Sequence, residues 1–297
     1  MNGRPGATRP GPARAVTAAA DYLRLGRVSN LPTVWTNVLA GAVLAGGGVG
    51  PGRLALLMLA LSLFYTGGMY LNDAFDREVD ARERPERPIP SGRIAAGRVF
   101  AIGFGMLAAG LLLLAPGGAA AVGAGALLAG AITYYDAHHK ANRLSPLIMG
   151  LCRVLVYVTA ALAVAGRVSA AVVGGAAALL AYLIGLTYVA RQENLTEVRN
   201  VWPLLFLAAP FLYAVPAAAG GGAAAVVYAG FLAWVVHAVS LLRRARPDIR
   251  RAVVSLIAGI SLLDALLIAG AGQTAAAAAA LVGFALTLAL QRWVPGT

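Results

Sequence analysis

The residues of this 297-residue chain best suited to chemistry are acidic and amide side chains that follow a long apolar run. Asn72, Asp76 and Asp80 are four residues apart, so in a continuing helix they share one face, and Asp73 lies close to that face. Like charges at this spacing repel one another unless a cation binds between them. Mg²⁺ typically takes one or two protein carboxylates together with phosphate oxygens. This acidic motif (residues 72–80) therefore predicts a magnesium site for a phosphate-bearing ligand, with Asn72, Asp76 and Asp80 as metal ligands and Asp73 as a substrate contact.

Arginines follow the acidic motif directly. Residues 72–93 read NDAFDREVDARERPERPIPSGR and contain six of the twelve acidic residues of the chain. The same segment carries Arg82, Arg84, Arg87 and Arg93, and the planar guanidinium group is suited to phosphate oxygens. We predict that Arg87 and Arg93 bind the phosphate groups of the substrate.

The composition is typical of a membrane protein. Hydrophobic residues make up 60% of the chain, mean hydropathy is +0.76, and 12% of residues are charged, whereas about a quarter are charged in soluble domains. The fold class predicted is an all-α polytopic membrane protein with nine or ten transmembrane helices, since a span needs about 20 residues. The apolar runs lie near 31–50, 54–72, 98–115, 119–135, 145–165, 168–190, 201–218, 223–242, 252–270 and 275–291.

The distribution of positive charge predicts the orientation of these helices. Arginine and lysine gather in the N-terminal segment and in the connections near 77–98, 140–143, 191–199 and 243–251, whereas the alternate connections carry only Arg53 and Arg167. By the positive-inside rule, the N-terminus and all the charged loops face the cytoplasm of a bacterial cytoplasmic membrane. The net charge of +12 is thereby explained by topology, and no nucleic-acid partner is expected.

The chain is expected to contain one transmembrane domain. Residues 1–21 are rich in Arg, Pro, Gly and Ala and are predicted to be a disordered basic cytoplasmic tail, followed by a domain over residues 22–297. Cys152 is the only cysteine, so an intrachain disulfide is excluded.

Residues 72–94, NDAFDREVDARERPERPIPSGRI, resemble the first aspartate-rich motif of the UbiA superfamily of intramembrane prenyltransferases, NDxxDxxxD followed by RPIPSG. The resemblance extends over the helical core, about residues 22–292. It implies a helical fold around a central cavity that is capped on the cytoplasmic side and open to membrane lipids. It also implies Mg²⁺-dependent transfer of a polyprenyl group from its diphosphate to a hydrophobic or aromatic acceptor.

The second aspartate-rich motif of that superfamily is altered in this chain. Members often carry DxxxD after the sixth span, where this sequence reads TYVARQENLTEVRN, with Glu193 and Glu197 at the same spacing. Glutamate keeps the charge but lengthens the arm by one methylene. The resemblance implies that Glu193 and Glu197 act in catalysis and as metal ligands, with ordinary ion pairs to Arg191 as the structural alternative. The alteration leaves open a non-catalytic UbiA-like protein that binds or moves an isoprenoid or another hydrophobic metabolite.

The resemblance implies further substrate contacts by position. In YYDAHHKANRLSPLIMG, residues 134–150, Lys140 is placed as a catalytic cation near the diphosphate and Arg143 as a substrate contact, with Asp136 beside them. Tyr135 and Tyr188 are candidates to offer ring faces to an allylic cation. His138 and His139 are adjacent, point about 100° apart on a helix, and make a poor chelating pair.

Two polar residues inside apolar spans are also singled out. The resemblance implies a polar residue on the first helix that faces the cavity and binds substrate, and Asn37 is the candidate for it, with an interhelical hydrogen bond as its alternative. Asp264 lies within an apolar run, where a carboxylate is costly in lipid and must face protein or a cavity.

Overall fold

The structure is a computed structural model that describes residues 12–46, 48, 50–140, 142–191, 202–243 and 247–294. Throughout these ranges the chain forms helices and no β-strand, which confirms the all-α prediction. The α-helices are α1 (Pro12–Leu25), α2 (Leu31–Leu44), α3 (Pro51–Phe75), α4 (Arg77–Glu83), α5 (Ala96–Leu114), α6 (Ala119–His138), α7 (Ser145–Ala165), α8 (Ala170–Ala190), α9 (Ala209–Ala219), α10 (Gly222–Ser240), α11 (Ile249–Gly270) and α12 (Thr274–Leu290). Short 3₁₀ segments lie at Val28–Asn30, Ala115–Gly117, Trp202–Ala208 and Leu241–Arg243.

Six helices in the described ranges are long and apolar enough to cross a membrane: α3, α5, α7, α8, α10 and α11. The predicted number of nine or ten spans is not confirmed, because several apolar runs form shorter helices. The run at 31–50 yields only the 14 residues of α2, and α12 has 17 residues. The run at 201–218 begins with a 3₁₀ segment and continues as the 11-residue α9.

Small residues allow the helices to approach closely. A Cβ atom added to Gly41 of α2 would lie 2.7 Å from the carbonyl oxygen of Tyr157 in α7. A Cβ atom on Gly67 of α3 would lie 2.8 Å from the carbonyl oxygen of Gly103 in α5. Because lipid supplies no hydrophobic driving force between helices, such backbone contacts are a main source of their packing energy.

The most buried helices are α2 and α11, which lie between the other helices. Nearly every residue of α11 from Ala252 to Ala269 is buried, and it packs against α2, α8, α10 and α12. A second apolar core joins α2 to α3, α5, α6 and α7. The two cores leave an internal cavity between them, lined from both sides.

Several helix ends meet at one end of the molecule, which we call the polar end. Asn72 near the end of α3 contacts Asp136 near the end of α6, and Asp76 contacts Lys140 just beyond α6. Arg191, directly after α8, donates hydrogen bonds to the carbonyl oxygen of Asn142 (2.8 Å) and the hydroxyl of Ser145 (2.7 Å). The ends of α3, α6 and α8, which lead into connections predicted to share one side of the membrane, therefore lie together at one end of the fold.

Helix α1 lies at the same end and begins at Pro12, so it includes residues 12–21 of the segment predicted as a tail. Asp21 of α1 accepts a hydrogen bond from Arg93 Nε at 2.8 Å. The hydroxyl of Tyr70 in α3 donates to the carbonyl oxygen of Tyr22. These contacts attach α1 to the polar end, while residues 1–11 lie outside the described part of the chain.

Candidate active site

The acidic motif continues the helical hydrogen-bond ladder across the junction of α3 and α4. The amide of Asp76 donates to the carbonyl of Asn72, and the amide of Asp80 donates to that of Asp76, each at 2.9 Å. Because i→i−4 bonds persist through Asp76, Asn72, Asp76 and Asp80 occupy neighbouring positions on one helical face. The register predicted from the spacing is therefore the one observed.

Arg87 neutralises two carboxylates of this cluster. Its Nη1 atom lies 3.1 Å from Asp73 Oδ1 and 2.7 Å from Asp80 Oδ2. The chain reverses between α4 and α5, which brings Arg87 back over the residues that precede it, and the side chain of Asp80 is only 6% exposed. A buried carboxylate requires such a partner.

Asp76 is held by the connection that follows α6. Lys140 Nζ lies 3.2 Å from Asp76 Oδ1, and His139 Nε2 lies 3.5 Å from Asp76 Oδ2. Burial raises the pKa of Asp76 above its ordinary value, although His139 and Lys140 act to lower it. The ionised form of Asp76 is thus incompletely neutralised by the protein and would be stabilised by an additional cation.

Asp136 adds a fourth carboxylate to the cluster. Its Oδ1 atom accepts a hydrogen bond from Asn72 Nδ2 at 3.2 Å, while its Oδ2 atom is buried and has no hydrogen-bond partner in the described structure. A buried oxygen without a partner is rare and calls for a missing ligand, ion or water. The set of Asn72, Asp76 and Asp136 offers the oxygen donors that Mg²⁺ prefers, so the residues present fit this metal.

The side chains of this cluster do not surround a metal position in the structure. Among the described residues, no three acidic, histidine or cysteine side chains are arranged to hold a metal ion. The cations of Arg87 and Lys140 contact the carboxylates instead.

Two cavities meet beside this cluster. The arginine chamber, about 410 Å³, is lined by Asp73, Glu86 and six arginines: Arg24, Arg27, Arg84, Arg87, Arg93 and Arg250. The apolar cavity, about 320 Å³, extends among α2, α3, α6, α7, α8 and α11 and is lined mostly by apolar and aromatic side chains, among them Leu, Ile, Val and Phe. Arg27 and Arg84 line both cavities. Together the two form a space with one cationic end and one apolar end.

Arg27 is held at this junction by unusual backbone geometry. It is the one described non-glycine residue with positive φ (42°), between α1 and the 3₁₀ segment Val28–Asn30. Its Nη2 atom lies 3.5 Å from Asp73 Oδ1 and its Nη1 atom lies 3.4 Å from Met69 Sδ. Burial lowers the pKa of Arg27, but Asp73 and other neighbours together raise this pKa by more than burial lowers it. The pKa of Arg27 therefore lies above its ordinary value. Backbone strain of this kind collects at functional sites.

Comparison with known proteins identifies the family. The model of the UbiA prenyltransferase family matches residues 34–194, which include the acidic motif and much of both cavities. The chain belongs to this family.

Solved structures agree with that membership at the level of the fold. A digeranylgeranylglyceryl phosphate synthase superposes with a TM-score of 0.62 at 19% identity, covering 86% of this chain and 99% of that one. A UbiA homologue from Aeropyrum pernix K1 gives 0.53 at 16% identity, covering 89% and 95%. A UbiA homologue from Archaeoglobus fulgidus bound to DMAPP and Mg²⁺ gives 0.53 at 16% identity, covering 92% and 100%. No curated protein sequence matches the chain significantly. This UbiA-family protein is a multi-pass integral membrane protein.

Six of the thirteen predicted site residues come together at the polar end. Asn72, Asp73, Asp76, Asp80, Arg87 and Lys140 form the cluster described above. Tyr135 lines the apolar cavity and stacks on His139, whereas His138 stacks on Tyr134, so the two histidines point apart as predicted.

Other predicted residues lie further from the cluster. Arg93 lines the arginine chamber but binds Asp21, Arg143 is exposed, and Tyr188 is half-buried on α8 beside the cavity-lining Thr187. Glu193 and Glu197 lie outside the described residues, so their roles stay predictions.

Asn37 does not face the cavity, which corrects its predicted substrate contact. It is fully buried, and its amide Nδ2 donates to both carboxylate oxygens of Asp264, at 3.1 and 2.8 Å. Turning the amide into the cavity would leave Asp264 without these donors. The interhelical hydrogen bond, the alternative for Asn37, is the arrangement observed.

Three residues of the site were not predicted to bind a ligand. Asp136 was noted only as a neighbour of Lys140, and Arg27 only as one of the N-terminal charges. Arg153 lines the apolar cavity from the middle of α7. A lone arginine inside an apolar run was the signal available for Arg153, whereas nothing local in the sequence distinguishes Arg27 from its neighbours.

Proposed function

We propose that this protein transfers a polyprenyl group from its diphosphate to an acceptor within the membrane, in a Mg²⁺-dependent reaction. The observation that carries the proposal is the junction of the arginine chamber with the apolar cavity at Arg27 and Arg84. A prenyl diphosphate has the same division into a multiply charged head and an apolar tail. The Archaeoglobus homologue bound to DMAPP and Mg²⁺ supports this assignment.

Asn72, Asp76 and Asp80 would hold Mg²⁺ on the diphosphate, with Asp136 Oδ2 as an additional oxygen donor. The metal supplies neutralisation of phosphate charge, which favours departure of diphosphate. Glu193 and Glu197 are proposed to hold a second ion at the same end of the molecule. Two glutamates in place of two aspartates keep the charge of the family's second motif.

The protein's own cations would stabilise charge on the departing diphosphate. Arg87 contacts Asp73 and Asp80, and Lys140 contacts Asp76, so both are positioned beside the proposed metal ligands. Pre-positioned cations of this kind lower a barrier because they need no reorganisation as charge develops. Tyr135 would offer its ring face to the allylic cation, and the apolar walls would exclude water from it.

The substrate would enter from the cytoplasmic side, because the arginine chamber lies at the polar end that carries most of the positive connections. This orientation follows the positive-inside rule. The family and the apolar helices establish membrane insertion, and the sidedness is part of the proposal.

The first experiment measures binding of geranyl diphosphate to purified protein with and without Mg²⁺. Chelation and Asp76→Asn are each expected to weaken binding by about tenfold or more, since a charged ligand contact is typically worth ~1.5–3 kcal/mol. Glu78→Gln is the matched control, because Glu78 lies in the same segment but its side chain is 80% exposed and paired only with Arg77. Equal affinity with and without metal would contradict the proposed magnesium site.

The second experiment separates an enzyme from a binder, which is the other function that the altered second motif favours. Glu193→Gln should lower turnover far more than it lowers binding of prenyl diphosphate, as expected of a group that acts on charge developing in the transition state. Wild-type rates in the Glu193→Gln/Glu197→Gln double variant would contradict the proposed second site. Metal-dependent binding without product from any offered acceptor would favour a non-catalytic carrier.

A further inference from the structure

Two arginines of the arginine chamber are set apart from the acidic motif. Arg24 lies in the last turn of α1 and Arg250 in the first turn of α11, and both residues are exposed. Neither lines the apolar cavity, whereas Arg27 and Arg84 line both cavities. Arg24 and Arg250 therefore mark a part of the chamber that the apolar cavity does not share, which we call the outer rim.

The charge of the outer rim is not balanced by the protein. Ion pairs with aspartates hold three other arginines of the chamber lining. Arg24 and Arg250 form no ion pair with any residue in the described ranges. The lining as a whole carries six arginines and two carboxylates, a formal charge of +4. A diphosphate that is already paired with Mg²⁺ would leave part of this charge unbalanced, so the rim has the charge to bind a second anionic group.

The outer rim lies at the level of the lipid headgroups. Gln291, directly after α12, donates to the carbonyl oxygen of Val254 at 3.5 Å, and Val254 is about one helical turn beyond Arg250 in α11. The end of α12 is thereby placed beside the start of α11. Trp293, two residues after Gln291, is 83% exposed. An exposed tryptophan at the end of an apolar helix is typical of the membrane–water interface, at the level of the headgroups.

We propose that Arg24 and Arg250 bind the phosphate group of an anionic membrane phospholipid at the outer rim of the arginine chamber. Basic pockets between membrane helices on the cytoplasmic side are typical sites for such headgroups. The acyl chains would remain in the bilayer, so this ligand needs no apolar pocket of its own. One phosphate held by both arginines would bridge α1 to α11 across the rim.

A soluble phosphate compound carries the same chemical group as the lipid. The position of the rim at the headgroup level favours the lipid, and the test includes both sources. The probes are dioleoylphosphatidylglycerol, dioleoylphosphatidylcholine and glycerol 3-phosphate. Phosphatidylcholine has the same acyl chains and a phosphate whose charge is cancelled by choline, so it controls for binding through the chains alone.

Native mass spectrometry of the purified full-length protein in a neutral detergent measures how much of each probe is retained. The wild type is expected to retain phosphatidylglycerol over phosphatidylcholine by about tenfold or more, the ratio expected for two arginines beside an anionic headgroup. Arg24→Gln/Arg250→Gln should lower this ratio to about twofold or less. These residues are exposed and have no ion pair, so the variant is expected to fold, which circular dichroism checks.

Arg251 provides the matched control. It is exposed, lies in the same turn of α11 as Arg250 and does not line the chamber. Arg250→Gln and Arg251→Gln each remove one positive charge from this turn. Arg250→Gln should lower the preference for phosphatidylglycerol by about threefold or more, whereas Arg251→Gln should leave it within about twofold of the wild type.

A competition experiment separates the outer rim from the proposed diphosphate site. Saturation of the wild type with geranyl diphosphate and Mg²⁺ should leave the retention of phosphatidylglycerol within about twofold. If the proposed function fails, geranyl diphosphate does not bind at all, and the comparison of the two lipids still tests the rim by itself.

Four results would overturn the inference. The first is equal retention of phosphatidylglycerol and phosphatidylcholine by the wild type. The second is an equal loss of preference in Arg250→Gln and Arg251→Gln, which would assign the effect to general surface charge. The third is complete displacement of phosphatidylglycerol by geranyl diphosphate. The fourth is retention of glycerol 3-phosphate without retention of phosphatidylglycerol, which would assign the rim to a soluble phosphate compound.

Discussion

Arg87 and Lys140 occupy the carboxylates that Mg²⁺ is proposed to use. Asp73 and Asp80 lie close to Arg87, and Asp76 lies close to Lys140, so these cations of the protein stabilise the ionised carboxylates. When a metal and a diphosphate bind, the same cations can contact phosphate oxygens, because the carboxylates are then neutralised by the metal. In both states the carboxylates would thus have a cation beside them, and Arg87 and Lys140 would change partner when the metal and the diphosphate bind.

This exchange predicts that the fork geometry of Arg87 matters as well as its charge. Arg87→Lys should weaken binding of geranyl diphosphate with Mg²⁺ by about tenfold, since an ammonium group cannot bind two phosphate oxygens side by side as the planar guanidinium can. Calorimetry on the purified variant measures this. Arg82→Lys is the control, on an exposed residue of the same segment. An equal loss in both variants would assign the effect to the loop as a whole.

Residue spacing predicted this cluster only in part. Helical spacing was enough to place Asn72, Asp76 and Asp80 on one face, because the hydrogen-bond ladder continues through Asp76. Asp136 and Arg27 come from distant segments, and their contacts depend on how α1 and α6 pack against α3. Asn37 could not be assigned from spacing, since a polar residue on a buried helix has both a cavity and a neighbouring helix within reach.

At the scale of elements, α1 acts as a brace on the arginine loop (residues 84–93). Asp21 accepts two hydrogen bonds from Arg93, and the rings of Tyr22 and Tyr70 meet edge to face. The same loop supplies Arg84 and Arg87 to the arginine chamber. The position of α1 therefore affects the cationic lining of the proposed head-group site.

Asp21→Asn should weaken this brace without removing any residue from the acidic motif. Asp21 is 5% exposed and its partner Arg93 is nearly half exposed, so we expect a modest effect on stability of about 1 kcal/mol or less. The affinity for geranyl diphosphate should fall by a few-fold, which corresponds to a change in binding free energy of about 1 kcal/mol or less. Double-mutant cycles with Arg93→Gln measure the coupling, and additive effects would show that the brace does not act through this pair.

Helix packing gives a separate test at this scale. Gly41→Ala places a methyl group against the backbone of α7 and should destabilise the protein by about 1–3 kcal/mol, the usual cost of overpacking. Gly105→Ala in α5 meets open space and should be neutral or stabilising by up to about 1 kcal/mol. Thermal unfolding in detergent compares the two. Equal melting temperatures would contradict close packing of α2 on α7.

For the whole molecule, composition predicted the helical class but not the number of spans. Hydropathy records how apolar a segment is, whereas the length of a helix also depends on where it breaks. The break at Leu44 lies just before Gly46, which has positive φ, and Trp202–Ala208 forms a 3₁₀ helix, and mean hydropathy records neither feature. Cavity shape is equally absent from the sequence, because Ala, Leu and Val line both helix contacts and cavity walls.

The same fold fixes a prediction about sidedness. The ends of α3, α6 and α8 meet at the polar end, so all three are expected on one side of the membrane, and the positive-inside rule predicts that this side is cytoplasmic. Labelling of intact cells with a membrane-impermeant thiol reagent tests this in a Cys152→Ser background, which removes the only native thiol. His138→Cys and Arg143→Cys are exposed at the polar end and should react only after the cells are opened. Arg167→Cys, exposed in the short connection between α7 and α8 at the opposite end, should react from outside and shows that the reagent reaches the protein. Labelling of His138→Cys or Arg143→Cys in intact cells would reverse the orientation and move the proposed diphosphate site to the other face of the membrane.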